Sequence, residues 1–289
     1  MPTDASTFDK SADSAIFTRP SPGEFAVELG RAFAGALIFA LPMLMTMEMW
    51  SLGCSMDPLR LALLLALLLP LLVRLSQYGG LRPTASVWDD LADALVSVAV
   101  AATAAGAILF MFGVITAEMP IREILGKVAL QTFVGSIGAM LARSQLGSEE
   151  AQAEQEAAER SYFGEIFLMV VGALFLLLNV APTEEMILIA FQMSIWQEIG
   201  LILLTLILMH ALVYSMEFGG THRPDPDETF WSIFARYTVV GYAAVLLVSF
   251  YVLWTFGRTD ETANHEIVSM VAVLSFPGAI GAAVARLIL

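Results

Sequence analysis

Eight runs of this chain are long and apolar enough to cross a lipid bilayer, near 25–45, 58–77, 88–116, 122–142, 162–181, 196–216, 229–256 and 265–288. About 20 apolar residues in helical form match a hydrocarbon core of about 30 Å. Inside that core every peptide group must be satisfied internally, which leaves helices as the form such runs can take. Of the 289 residues 58% are hydrophobic and only 15% charged, more apolar surface than a soluble domain can hide. The expected fold is all-α, a polytopic membrane helix bundle with the lipid bilayer as its first partner.

Two connections are unusual. The stretches 46–57 and 182–195 are too apolar for ordinary loops and too short to span. Apolar pieces of about 10–14 residues are interfacial or re-entrant segments in such proteins, so short helices are expected after spans 1 and 5. Residues 1–24 are polar and lack a basic stretch leading into a short apolar core, so they read as a disordered tail and not as a signal peptide. Cys54 is the single cysteine, which excludes an intrachain disulfide. The net charge of −14 excludes a nucleic-acid partner, which needs a basic face.

Lysine and arginine set orientation in membrane proteins. With the N-terminus inside, Lys10, Arg19, Arg31, Arg74, Arg82, Arg143, Arg160, Arg223, Arg236 and Arg286 fall on the cytoplasmic side, against Arg60, Arg122, Lys127 and Arg258 outside. Both termini are therefore expected in the cytoplasm.

The chain also repeats itself. GALIFALPMLMTMEM (35–49) aligns with GALFLLLNVAPTEEM (172–186), YGGLRP (78–83) with FGGTHRP (218–224), and EILGKVALQTFVGSIGAMLAR (123–143) with EIVSMVAVLSFPGAIGAAVAR (266–286). Three collinear matches predict a tandem duplication of a four-span unit, 25–143 and 161–289, joined by an acidic cytoplasmic linker over 144–160. Because four is even, the two repeats are parallel, related by an axis along the membrane normal.

The segment APTEEM (181–186), the turns at Gly79-Gly80 and Gly219-Gly220 and the eight-span layout resemble a bacterial family of integral membrane proteins of unknown function. The resemblance implies a place in a bacterial inner membrane and supplies no activity to carry over.

Enzyme signatures are missing: no G-x-S-x-G elbow, no P-loop, no paired cysteines and no H-E-x-x-H. The expectation is that the chain is not an enzyme and needs no cofactor. The strongest chemical feature is the repeated T-x-E-M, with Thr46 and Glu48 in one half and Thr183, Glu184 and Glu185 in the other. A plain reading makes these acids helix-start residues that complement the dipole, with Pro182 at the first helical position. A functional reading makes them the lining of a cation pathway, since burying a carboxylate in hydrocarbon costs roughly 2.5–3.5 kcal/mol on insertion scales unless water or an ion meets it. Glu48 and Glu185 are then also the candidate metal ligands.

Other features read as structural. F-x-G-x-I-G-A occurs at 133–139 and 276–282, putting Gly135 and Ala139, then Gly278 and Ala282, at the spacing of close helix packing. Asp89, Asp90 and Asp93 open the third span, where dipole and interface preferences account for them. His210, inside the sixth span, is a candidate proton or gating group, with a hydrogen bond to Tyr214 as its plainer role.

The sequence thus favours cation conduction, a channel ahead of a carrier, with a scaffold or sensor subunit as the alternative. Outer-side acids outnumber bases ten to four, a mouth that concentrates cations. Carboxylate oxygens suit a hard divalent ion such as calcium as the permeant species. Pairing of two chains as a homodimer would set four T-x-E-M elements around one axis.

Overall fold

Why helices begin and end where they do is written largely in their flanks. The computed structural model describes residues 22–79, 86–146, 162–215, 231 and 234–288, and among them it contains ten α-helices and no strand. They are α1 (Pro22–Leu44), α2 (Met47–Ser55), α3 (Pro58–Gly79), α4 (Val87–Met111), α5 (Ile121–Leu146), α6 (Tyr162–Val180), α7 (Glu184–Gln192), α8 (Ile195–Ser215), α9 (Val240–Thr255) and α10 (Asn264–Ile288). A π-helical turn over Phe234–Val239 leads into α9. Asp57 starts α3 by accepting from the amides of Leu59 at 2.7 Å and Arg60 at 3.2 Å, with Pro58 at the first helical position. Ser86 caps α4, and its hydroxyl donates to Asp89 at 2.9 Å.

Eight of these segments are long and apolar enough to cross a membrane, from Phe25–Leu44 to Asn264–Arg286. The expected spans correspond to them, with two differences in their bounds. The third span, α4, stops at Met111 and not at 116, because Gly113 takes a left-handed φ of 69° and the amide of Val114 turns back to Leu109 O at 2.9 Å. Gly257, at φ 73°, ends α9 in the same way. The tail expected over 1–24 gives way to helix at Pro22. Residues 80–85, 147–161 and 216–230 lie outside the described residues, and with them the linker expected over 144–160 beyond its first three residues, Gly80 of the first Gly-Gly turn and the whole of the second.

Packing groups the helices into two units. In the first, α1, α3 and α4 pack on α5, with α2 laid over it; in the second, α6, α8 and α9 pack on α10, with α7 laid over it. Glycines make the tightest seams. A Cβ at Gly35 would lie 2.4 Å from Gly138 O, and one at Gly172 would lie 2.3 Å from Gly281 O. Small residues at such crossings let backbones approach where lipid gives no hydrophobic drive between helices.

The units approach each other where α1 meets α6 and α3 meets α9, and one hydrophobic core, with Met43 and Leu68 of the first unit and Leu174 and Val252 of the second, runs through both. Phe39 and Phe175 stack across the seam with ring centroids 4.7 Å apart. At the end of the bundle that carries α2 and α7, Arg60 bonds Asp260 through both nitrogens, at 2.9 and 2.8 Å. At the opposite end, Arg286 of α10 pairs with Glu165 of α6 at 2.8 Å, both buried, and the Arg286 guanidinium stacks on the ring of Tyr237 at 4.3 Å.

The candidate ion-binding end

The two short helices, nine residues each, define the site. At 1.5 Å per residue such a helix is about 13 Å long, less than half the hydrocarbon core. Each is set off from the span before it by an extended threonine, Thr46 at φ −103° and ψ 117°, Thr183 at φ −71° and ψ 144°. Neither hydroxyl caps the helix it precedes. Thr46 Oγ1 donates back to Pro42 O at 2.5 Å and Thr183 Oγ1 to Val180 O at 2.8 Å, so both serve the free carbonyls of the preceding span. The indole of Trp50 does the same for Leu44 O at 2.8 Å. Pro182 lies before the cap and not at the first helical position; its carbonyl is what the fold uses, accepting from the Arg258 guanidinium.

Met49 and Leu52 anchor α2, and Met186 and Ala190 anchor α7. The opposite faces carry exposed Met47, Leu188, Ile189 and Phe191. These helices thus present acids at their starts within an apolar surface. Glu48 is half-buried, whereas Glu184 and Glu185 are exposed. Their carboxylates have no hydrogen bond or ion pair to any described residue, while several acids at this end are engaged. Asp57 caps α3, Asp260 holds Arg60, Glu198 accepts from Ser269 Oγ at 2.7 Å and Glu266 from the Ala263 amide at 3.2 Å.

The structure brings Glu184 and Glu185 together on one helical turn and seats Glu48 on the other unit. Among the described residues no group of three or more His, Cys, Asp or Glu is assembled to hold a metal ion. His210 stands apart, buried in α8, with Nδ1 2.8 Å from Thr238 Oγ1 and its ring edge-on to Phe234. The Tyr214 side chain lies outside the described residues.

Sequence reasoning passed over four buried polar groups. Lys127, expected on the outer surface, is buried beneath α2 and donates to Val114 O at 2.9 Å. Gln131, one turn on, donates to Met43 O at 3.0 Å. Asp90 and Asp93 are buried, and only Asp89 of that triplet stays at the helix start as expected. A signal for Lys127 and Gln131 was present: their aligned positions in the second half are Met270 and Leu274.

Cys54, exposed on α2, lies 3.8 Å from Glu123 Oε2. Partial burial pushes its thiol above the usual 9.0; Glu123 raises it further and Lys127 opposes. The thiolate is therefore scarce at neutral pH. Alkylation should accelerate about tenfold per pH unit up to the usual thiol value, since only the thiolate reacts. A rate that levels off below pH 9.0 in a stopped labelling series would contradict this.

A family model described as "Putative integral membrane protein (DUF2391)" matches residues 28–289. No curated protein and no solved structure matches the chain.

Proposed function

Because the chain belongs to this family of integral membrane proteins, we propose a function at the bilayer itself: conduction of cations, drawn in by Glu48, Glu184 and Glu185. The observation that carries the reading is that these three carboxylates start short helices in an apolar surface and are neutralised by no described side chain. A charge held there is stabilised by water and by passing cations, as carboxylates at channel mouths are. Ion-flux measurement on purified protein in liposomes tests it. Thr46 and Thr183, at the starts of the same short helices, are assigned to the same path, and Lys127 beneath α2 and Arg258 at the Pro182 carbonyl would temper the acid field. Calcium or another hard divalent ion is the favoured species on ligand chemistry.

The second reading, a scaffold or sensor without transport, is favoured by one observation: Glu184 and Glu185 are exposed on the surface of the bundle.

We place the acid-bearing end outside and both termini in the cytoplasm of a bacterial inner membrane, on the ten-to-four bias of basic residues. A membrane-impermeant thiol reagent should then label Cys54 from outside intact spheroplasts at alkaline pH. Labelling confined to inside-out vesicles reverses the orientation.

The two units are read as parallel repeats. Support comes from α2 and α7, equal in length and 137 residues apart, and from the matching glycine seams. The buried pair Glu165–Arg286 adds to it, since Glu28 and Arg143 occupy the aligned positions. Two chains paired about the same axis would bring four short helices together. Mass measurement in mild detergent that returns a single chain under every condition removes the dimer.

A further inference from the structure

We infer that the two short helices, alike in length and place, meet different surroundings. The exposed side of α7 lies among the acyl chains of the leaflet at its end of the bundle, whereas the exposed side of α2 faces water. This difference goes beyond cation conduction and does not rest on it.

The two helices keep one frame and differ on the outward face. Residues 137 apart align in them, which sets Ser51 against Leu188, Leu52 against Ile189 and Cys54 against Phe191. On α2 the exposed side is small and polar, Ser51, Cys54 and Ser55, and the Glu123 carboxylate lies 3.8 Å from the Cys54 thiol. Leu52, the large apolar residue among them, is turned into the core. On α7 the same three positions are all large and apolar, and Leu188, Ile189 and Phe191 are 56%, 48% and 53% exposed. An exposed apolar patch of this kind marks an interaction surface, because leaving it in water is unfavourable.

The helix that follows shows what covers this face. α8 is a span and the least buried of the eight, with Ile195, Ile199, Leu203 and Ile207 exposed at every fourth position along one side. In a span such a stripe faces lipid. Only Met193 and Ser194 separate α7 from α8, so Leu188, Ile189 and Phe191 carry the lipid-facing surface on past the end of the span. Trp196, exposed at the join, suits the boundary between acyl chains and water. Short helices with an apolar face lie along that boundary with the face in the acyl region. Glu184 and Glu185 are at the end of α7 away from α8, one turn before Leu188 and Ile189, at headgroup level. In the first unit the exposed stripe of α3, Leu59, Leu63 and Leu67, stops behind the exposed Asp57 and is not continued on α2.

Spin labels distinguish the two surroundings by collision, since oxygen concentrates among acyl chains and a nickel chelate stays in water. Labels are placed at Leu188→Cys, Phe191→Cys and Ser51→Cys on a Cys54→Ser background, and at Cys54 itself, in the full chain in lipid nanodiscs. Leu203→Cys on α8 gives the lipid reference and Asn264→Cys, exposed at the start of α10, the water reference. The ratio of oxygen to nickel accessibility at Leu188→Cys and Phe191→Cys should match the lipid reference. At Ser51→Cys and Cys54 it should match the water reference. Should an α7 variant fail to fold, the exposed Ile189→Cys takes its place. Labels on α7 that match the water reference overturn the inference. So do α7 labels shielded from both reagents, which report a second copy of the chain on this face. Labels on α2 that match the lipid reference overturn it too, because the two helices then share one surrounding.

Discussion

Replacing Glu48 and Glu185 together by glutamine should reduce cation uptake into liposomes steeply while the protein still folds. Glutamine keeps the shape of each side chain and removes its charge. A cation 4 Å from a carboxylate gains about 1 kcal/mol in water and about 4 kcal/mol at an effective dielectric of 20. About fivefold per site is therefore the smallest loss the proposal tolerates. Glu184→Gln should matter less, since Met47 occupies its aligned position in the first half. Stability should hardly change, because neither carboxylate bonds any described residue and neither caps its helix. A double variant that conducts like wild type would leave these acids as hydrated helix-start residues.

The second large effect concerns stability and lies at the opposite end. Glu165→Ala removes the carboxylate that the buried Arg286 guanidinium bonds at 2.8 Å, while the contact with the Tyr237 ring remains. Breaking one partner of a buried pair costs about 3–5 kcal/mol, whereas replacing both by apolar residues of similar volume is often near neutral. Thermal unfolding in detergent should show Glu165→Ala far below wild type and Glu165→Leu/Arg286→Met close to it. Equal losses in the single and double variants would mean that the pair acts through packing and not through charge.

Much of this architecture is legible in the sequence because bilayer thickness fixes span length. The short helices were readable for the same reason, being apolar and too brief to cross. What hydropathy misses is backbone handedness: the apolar letters of Phe112-Gly113-Val114 continue a run that the left-handed Gly113 has already ended. Pro182 shows a related gap, since proline suits a first helical position, yet Thr183 is the extended cap and α7 starts two residues later, at Glu184. Burial of single charges was the least legible. Lys127, Asp90 and Asp93 all lie near span starts, where charges ordinarily face water, and only packing against neighbouring helices buries them, α2 over Lys127 and the helices around α4 for the two aspartates. The His210 partner is Thr238, 28 residues away, a contact no local pattern announces.

Of the candidate site, the acids and their threonines were found from repetition, and their chemistry was only half read. Thr46 and Thr183 close the spans before them instead of opening the helices after them. That leaves the first amides of α2 and α7 without side-chain caps and the neighbouring carboxylates without a structural bond to lose. The charge at this end is in that sense available.

Cation flux of the wild-type chain decides the matter most directly. Purified protein in sealed liposomes, given an imposed gradient of calcium, potassium or protons and a controlled voltage, should carry at least one of these cations well above empty vesicles and above the Glu48→Gln/Glu185→Gln variant. Anions should be excluded. Protein that is folded, inserted and silent to every cation under every gradient would contradict the proposal and leave the scaffold reading in its place.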